Sequence, residues 1–215
     1  KEVLDLCLSC KGCSSECPSN VDMAKLKGEW QYQYNQHKGI PLRSRIIGNF
    51  TFLMALASKI PLAYRLIFSN KFSGNIAKTI AGFANERSMP TLSSITFRRW
   101  LKTNFKPISS QSEKILYLFC DEFTEYNDVE IGQKAILLLD RLGYQVRHID
   151  HPESGRSFIS KGMLKEARHL AEKNVELFSE IINAEIPLVG IEPSTILSFR
   201  DEYLTLTQGE LQEKA

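Results

Sequence analysis

Four cysteines in one short stretch constrain this chain more than any other feature. Cys7-Leu8-Ser9-Cys10-Lys11-Gly12-Cys13-Ser14-Ser15-Glu16-Cys17-Pro18 has the spacing C-x2-C-x2-C-x3-C-P, the run by which bacterial proteins hold a cubane 4Fe-4S cluster. Soft thiolates select iron–sulfide and other thiophilic metals. The close spacing lets three sulfurs face one cube, Gly12 gives the loop room to curl, and Pro18 keeps the chain from folding back over the site. A zinc site normally takes two separated Cys pairs, or a Cys pair with a His pair, and no second pair follows here. A disulfide cluster needs an oxidising compartment, which nothing else in the sequence suggests. Cys7, Cys10, Cys13 and Cys17 are therefore read as metal ligands of a 4Fe-4S cluster.

The same run carries a complication. In two-cluster ferredoxins the fourth Cys of each run ligates the other cluster. This chain has a single run, so Cys17 would serve a cluster whose other ligands lie elsewhere, and the distant Cys120 is a poor substitute. The chain opens on Lys1, inside what reads as a helix from Lys1 to Leu8 that ends at the first ligand. The expectation is that residues 1–37 are the second half of an alpha-helical ferredoxin-type domain, in a fragment whose first half lies upstream. On that reading the cluster is absent or incomplete in the fragment alone.

With 215 residues, 43% hydrophobic and 24% charged, the chain has the make-up of a soluble globular protein of one or two domains. The longest apolar-rich stretch, Phe50 to Ala57, is too short to span a bilayer. Committing four of five cysteines to a thiolate site points to a reducing, cytoplasmic setting, up to the inner face of the membrane. The formal charge of +2 hides an asymmetry. Residues 1–37 carry net −1, residues 38–106 net +11 with Glu86 as their one acid, and residues 107–215 net −8. A basic middle between acidic ends suggests that the middle meets something anionic.

After Pro18, Met23, Leu26, Trp30 and Tyr34 recur at helical spacing, which predicts a helix over 21–36 capped by Asn20 or Ser19. Gly39-Ile40-Pro41 breaks the chain. From Leu42 to Ala84 apolar faces alternate with Arg43, Arg45, Lys59, Arg65, Lys71 and Lys78, and Pro61 and Gly74 divide the stretch into about three short helices. Basic amphipathic helices can lie on an anionic membrane or pack onto another part of a larger protein. The scattering of the cations through the helices favours packing, with peripheral membrane contact as the alternative. Nucleic acid is excluded for want of a reading motif or basic–aromatic interleaving. Residues 88–94 read as a loop and 96–105 as a short basic helix, closing a basic helical segment over 38–106. Pro107 to Ser112 reads as the linker, because composition turns from basic to acidic across it.

Residues 113–215 alternate strands and helices: strand 114–120, helix 128–142, strand 144–149, helix 161–183, strand 186–191, and a helix opened by Glu192-Pro193-Ser194. The expected fold class is α/β, a helical N-terminal half followed by a partial parallel-sheet three-layer α/β domain. Ligands sit at the carboxyl ends of strands in such sheets. Here those ends carry Cys120-Asp121-Glu122, the run from Asp150 to Arg156, and Glu192 to Thr195. Cys120, ending a buried strand with no His near it in sequence, reads as an inert core thiol.

Several of these motifs together resemble one family. They are Leu6 to Lys11 through Asp22-Met23-Ala24, Asp121-Glu122-Phe123-Thr124 with Glu130-Ile131-Gly132, Gly155-Arg156 with Ile159 to Gly162, and Gly190 to Ser194. The combination is similar to the carboxyl-terminal part of FAD-linked oxidases of the glycolate, D-lactate and 2-hydroxyglutarate dehydrogenase type. Those proteins join a flavin domain to a helical ferredoxin domain and a heterodisulfide-reductase-like, cysteine-rich (CCG) domain. The resemblance covers nearly the whole chain. It implies an electron-transfer region that passes electrons from a 2-hydroxy acid through a 4Fe-4S cluster to an acceptor, a quinone among the candidates. It also implies FAD and the substrate site in an upstream domain of the same parent, and no catalytic residue in this chain.

The chain departs from that pattern twice. Glu153-Ser154-Gly155 stands where the family has Cys-Cys-Gly, and Thr195 where it has the Cys of Glu-Pro-Ser-Cys; the α/β domain is also expected to be incomplete at its C-terminus. His148, His151 and Glu153 are candidates for a substitute metal site, and Arg156 for anion binding with backbone amides. The alternative function is a non-redox docking module whose α/β domain has lost its metal-ligating cysteines.

Overall fold

The computed structural model describes residues 2–215, without the side chains of Glu2 and Asp5. The expected helix start at Lys1 lies outside the described residues. What is described, α1 (Glu2–Asp5), stops short of the expected end at Leu8. The cysteine loop follows and holds α2 (Gly12–Glu16). Next comes α3 (Met23–Lys38), whose cap is Asp22: its carboxylate accepts from the amides of Ala24 and Lys25 at 2.8 and 3.0 Å. This corrects the expectation of Asn20 or Ser19. Gly39, at φ 78°, ends the helix in a conformation suited to glycine.

Four short helices follow where about three were expected: α4 (Leu42–Gly48), α5 (Phe50–Lys59), α6 (Pro61–Ser69) and α7 (Lys71–Ala81). Pro61 starts α6 at its first position, as proline does. Gly74 breaks nothing. It lies buried inside α7, where a Cβ would make an ordinary contact, 3.5 Å from the Ile67 carbonyl oxygen of α6. The break falls instead at Asn70, whose side chain accepts from the amide of Phe72. Then comes α8 (Phe97–Thr103), capped by Thr96.

The rest is α/β. In order it comprises β1 (Ile115–Phe119), α9 (Glu122–Tyr126), α10 (Val129–Arg141), β2 (Gln145–Arg147), α11 (Arg156–Ile159), α12 (Leu164–Ser179), β3 (Leu188–Gly190) and α13 (Pro193–Ile196). A 3-10 turn over Leu197–Arg200, α14 (Glu202–Leu206) and α15 (Glu210–Lys214) complete the chain. The strands form a parallel sheet in the order β2-β1-β3, with Leu116 opposite Val146 and Leu118 opposite Val189. The fold class expected from the sequence is thus present. The outer strands are shorter than expected because each has one neighbour, β1, to hydrogen-bond with.

Alternation along β1 separates two cores. Leu118 packs with Phe97, Val129 and Ile136 under α8 and α10. Phe119 turns to the other face and meets Phe178 and Phe199, beside a second cluster of Phe158, Ala167, Ala171, Val175 and Tyr203 beneath α12 and α14. Helices therefore cover both faces. The backbone amides of Ile108 and Ser109, in the segment expected as a linker, donate to the buried carboxylate of Asp140 at 2.8 Å each. Phe97 of α8 is wholly buried against the sheet.

The N-terminal helix rides on this α/β body through α3. Its packed face is not the one formed by Met23, Leu26, Trp30 and Tyr34; Leu26 is 55% exposed. The buried positions are Lys27 and Gly28. Asn35 donates its side-chain amide to the Lys161 carbonyl at 3.0 Å, and Gly162 lies directly against Gln31 and Tyr32.

Candidate functional site

The cysteine loop curls because three non-glycine residues take left-handed backbone angles: Ser9 at φ 56°, Lys11 at 61° and Asn20 at 52°. Such angles are uncommon outside glycine and cost free energy. Ser9 and Lys11 turn the chain tightly between successive cysteines, and Asn20 turns it after Cys17. A Cβ on Gly12 would stand 3.7 Å from the Cys10 sulfur, so the backbone hugs that thiol. Cys7 and Cys17 are half-buried, and Cys10 and Cys13 are exposed. Backbone amides of Val21, Ser19 and Asn20 reach the Cys17 sulfur and hold its thiol below the ordinary range.

Cations surround the loop. Lys27, buried on α3, donates its ammonium to the Cys7 carbonyl at 2.5 Å. Lys11, inside the loop, pairs with Asp201 and, at 2.8 Å, with Glu202; Lys25 pairs with Asp201 at 2.6 Å. Burial alone would lower the Lys11 pKa, but the two carboxylates outweigh it and hold it above the ordinary lysine value. These pairs tie the loop to α14. A cavity of about 400 Å³ opens beside them, lined in part by Lys27, Arg156, Lys165 and Arg168.

Among the described residues no three His, Cys, Asp or Glu side chains are gathered tightly enough to hold a metal ion. The donor set nevertheless fits a thiophilic cluster: four thiols on one curled loop, amides aimed at Cys17, and the Lys27 ammonium at the Cys7 carbonyl to offset thiolate charge.

The residues expected as a second site are placed apart in function. His151 is buried and stacks on Phe119 with ring centroids 4.1 Å apart. Its Nε2 accepts from the Cys120 amide at 3.1 Å and its Nδ1 donates to the Pro152 carbonyl at 2.8 Å. Both nitrogens are thus occupied, and burial lowers its pKa to about 3. His148 lies 5.6 Å away between centroids, near the Leu118 carbonyl, with its Nε2 buried and without a partner. The Glu153 carboxylate accepts from the Thr51 hydroxyl at 2.5 Å, and Arg156 reaches Glu202 at 3.3 Å. Cys120 is buried, and its thiol is pushed well up by desolvation and by Glu125, as an inert core thiol should be.

What the sequence did not reveal is how the loop at Glu153-Ser154-Gly155 is closed. One oxygen of buried Glu122 accepts from the Ser154 amide at 2.9 Å and from its hydroxyl at 2.6 Å. The Tyr203 hydroxyl donates to the Ser154 carbonyl at 2.7 Å, and Asn174 donates to the Glu153 carbonyl at 3.0 Å and to Tyr203 at 3.1 Å. Protein hydrogen bonds hold this loop from within. Glu122 stood in a motif already noted; nothing in the spacing of Asn174 or Tyr203 marked them.

Burial raises the Glu153 pKa from 4.5 to about 7, against the opposing Thr51 hydrogen bond. Its folded value lies above its unfolded one. The associated stability is therefore present below pH 4.5 and is lost as pH rises through about 7. Glu153→Gln should match the parent near pH 4 and be more stable near pH 8 by roughly 1–2 kcal/mol, after discounting for partial solvent screening. Thermal melts of both proteins across that range check this; equal melting at both ends contradicts it.

No protein-family model matches the chain, and no solved structure matches it. Curated relatives do. A D-2-hydroxyglutarate dehydrogenase of Pantoea ananatis is 26% identical over 214 residues, covering 94% of this chain and 20% of the relative. Proteins of the same name from Haemophilus influenzae (26% identical, 100% of this chain, 21% of the relative) and Escherichia coli (23%, 94% and 21%) align similarly. The chain spans about a fifth of the length of these relatives.

Proposed function

We propose that this chain is the electron-transfer region of an FAD-linked oxidoreductase that oxidises a small 2-hydroxy acid, with D-2-hydroxyglutarate the first substrate to try. The similarity to dehydrogenases of that name along almost the whole chain carries the reading. The placement of this region after an upstream flavin and substrate domain follows from the family resemblance. A 4Fe-4S cluster bound by Cys7, Cys10 and Cys13, with Cys17 turned to a neighbouring one, would supply one-electron transfer between flavin and acceptor.

The chain's own residues have definable tasks in this reading. The amides of Val21 and Ser19 favour the thiolate form of Cys17. Lys27 places positive charge beside a loop that becomes anionic when its thiols ionise. Asp201 and Glu202 hold Lys11, and through it the loop, against the α/β body. The α/β body serves as a platform without a metal centre of its own, since the loop that would carry one is closed by Glu122, Asn174 and Tyr203.

The test is anaerobic addition of D-2-hydroxyglutarate to the intact protein, followed by flavin absorbance and low-temperature electron paramagnetic resonance. The reading expects flavin bleaching and the signal of a reduced cluster, with the signal lost in Cys13→Ser. Bleaching without any cluster signal, in protein shown to hold iron, would leave a dehydrogenase but remove the electron-transfer role.

A further inference from the structure

Between Phe50 and Ala81 the protein exposes apolar side chains in stripes. Phe52 and Leu56 on α5, Leu62 and Leu66 on α6, and Phe72, Ile76 and Ile80 on α7 are each spaced by four, so each helix turns one apolar stripe outward. Phe72 is 77% exposed and Ile80 70%. Scattered surface apolars need no explanation, but seven large ones at helical spacing along three consecutive helices point to an interaction surface.

Charge says what kind. Lys59 follows Leu56 by three, Arg65 follows Leu62 by three, and Lys71 adjoins Phe72; all three are exposed. Among the described residues none of them, nor Arg43, Arg45 or Lys78, forms an ion pair with a carboxylate. Lys78 instead donates to the carbonyls of Asn85 and Arg87. The cores of protein–protein interfaces are depleted in lysine and other charges. A face that mixes outward Leu, Ile and Phe with unpaired Lys and Arg, and has Glu86 as the one acid of its segment, complements an anionic and amphiphilic surface. No single described helix is long and apolar enough to cross a bilayer; α5 and α6 together have the length and composition of a span but are bent by 107°. Short helices that turn apolar stripes outward fit a place along the interface.

We propose that α5, α6 and α7 form a peripheral membrane-docking surface that lays its apolar stripes into the headgroup region of an anionic bilayer. The sequence alone favoured packing onto a larger protein because the cations are scattered. In the structure Lys59, Arg65 and Lys71 are exposed on the same three helices that carry the outward stripes.

Vesicle flotation of the intact protein is the test, using neutral phosphatidylcholine vesicles and vesicles containing about a third phosphatidylglycerol. Binding to anionic vesicles at low salt is expected to exceed binding to neutral ones at least about tenfold and to collapse at high salt. Lys59→Glu with Arg65→Glu and Lys71→Glu should reduce it by a similar factor, and Phe72→Ser with Leu66→Ser should weaken it further at any salt. All five positions are exposed, and circular dichroism verifies that the helices persist. If a variant loses helicity, Lys59→Gln with Lys71→Gln replaces it with the same expectation in lesser degree. No flotation, equal flotation with both vesicle types, or flotation indifferent to the charge reversals in a folded variant would overturn the proposal. Absence of flotation together with slow hydrogen exchange over 50–81 in the intact protein would show that another protein surface covers the face.

Discussion

Gly162→Val is expected to destabilise this protein by about 3 kcal/mol or more. Gly162 sits at φ 63°, where an L residue is already strained. A Cβ there would stand 2.5 Å from Gln31 Cβ, 2.7 Å from the Tyr32 amide nitrogen and 2.8 Å from the Gln31 carbonyl carbon. Two of those atoms are helix backbone and cannot swing aside. The contact is where α3 lies on the α/β body, so the substitution acts on the mounting of the cysteine loop as well as on global stability. Gly143 provides the control. Its φ is 88° and nothing lies within 4 Å of a Cβ built there, so Gly143→Val carries the backbone strain alone, about 1–2 kcal/mol. For a chain of this size the difference between the two should appear as several degrees in melting temperature. Equal melting of the two variants would show that the α3 contact does not constrain the fold.

Glu122→Ala should cost about 2–4 kcal/mol. One Glu122 oxygen accepts both the amide and the hydroxyl of Ser154, which is fully buried. Truncation strands two donors where water is absent, and an unmade buried hydrogen bond costs more than a made one contributes. Glu122→Gln is the informative companion. Burial holds the Glu122 pKa above the ordinary carboxyl value, against the opposing Ser154 hydrogen bonds. A neutral amide of the same shape keeps the accepting oxygen without that desolvation penalty, so Gln should retain most of the stability that Ala loses. Denaturant titration of the three proteins measures this. If Ala and Gln behave alike, the loop at Ser154 is held by something other than this acceptor.

Those two positions show what could be read from the chain and what could not. The βαβαβα order was legible because each strand is a short apolar run and each helix carries its own periodicity. The cysteine run could be singled out because a cluster-binding motif is written in local spacing. Contacts between distant segments left no such trace. His151 stood in a polar stretch and read as a candidate metal ligand; its acceptor role depends on the amide of Cys120 at the end of β1. Asn174 and Tyr203 reach the carbonyls of Glu153 and Ser154 only after α12 and α14 fold over the sheet. Gly74 read as a breaker, since glycine is a poor helix former, yet it lies inside α7 and the break falls at Asn70. The apolar spacing of Met23, Leu26, Trp30 and Tyr34 pointed to a packed face, but α3 meets the α/β body at Gln31, Tyr32 and Asn35, where Gly162 lies against the helix backbone and Asn35 hydrogen-bonds to Lys161.

The central claim is that the loop from Cys7 to Cys17 holds an iron–sulfur cluster. Iron and acid-labile sulfide assayed on anaerobically purified intact protein, beside a variant with Cys7, Cys10 and Cys13 all changed to Ser, test it most directly. The account predicts that the variant loses about four iron and about four sulfide per chain, with the matching visible absorption. Identical iron and sulfide in the two proteins, or zinc in place of iron, would contradict it.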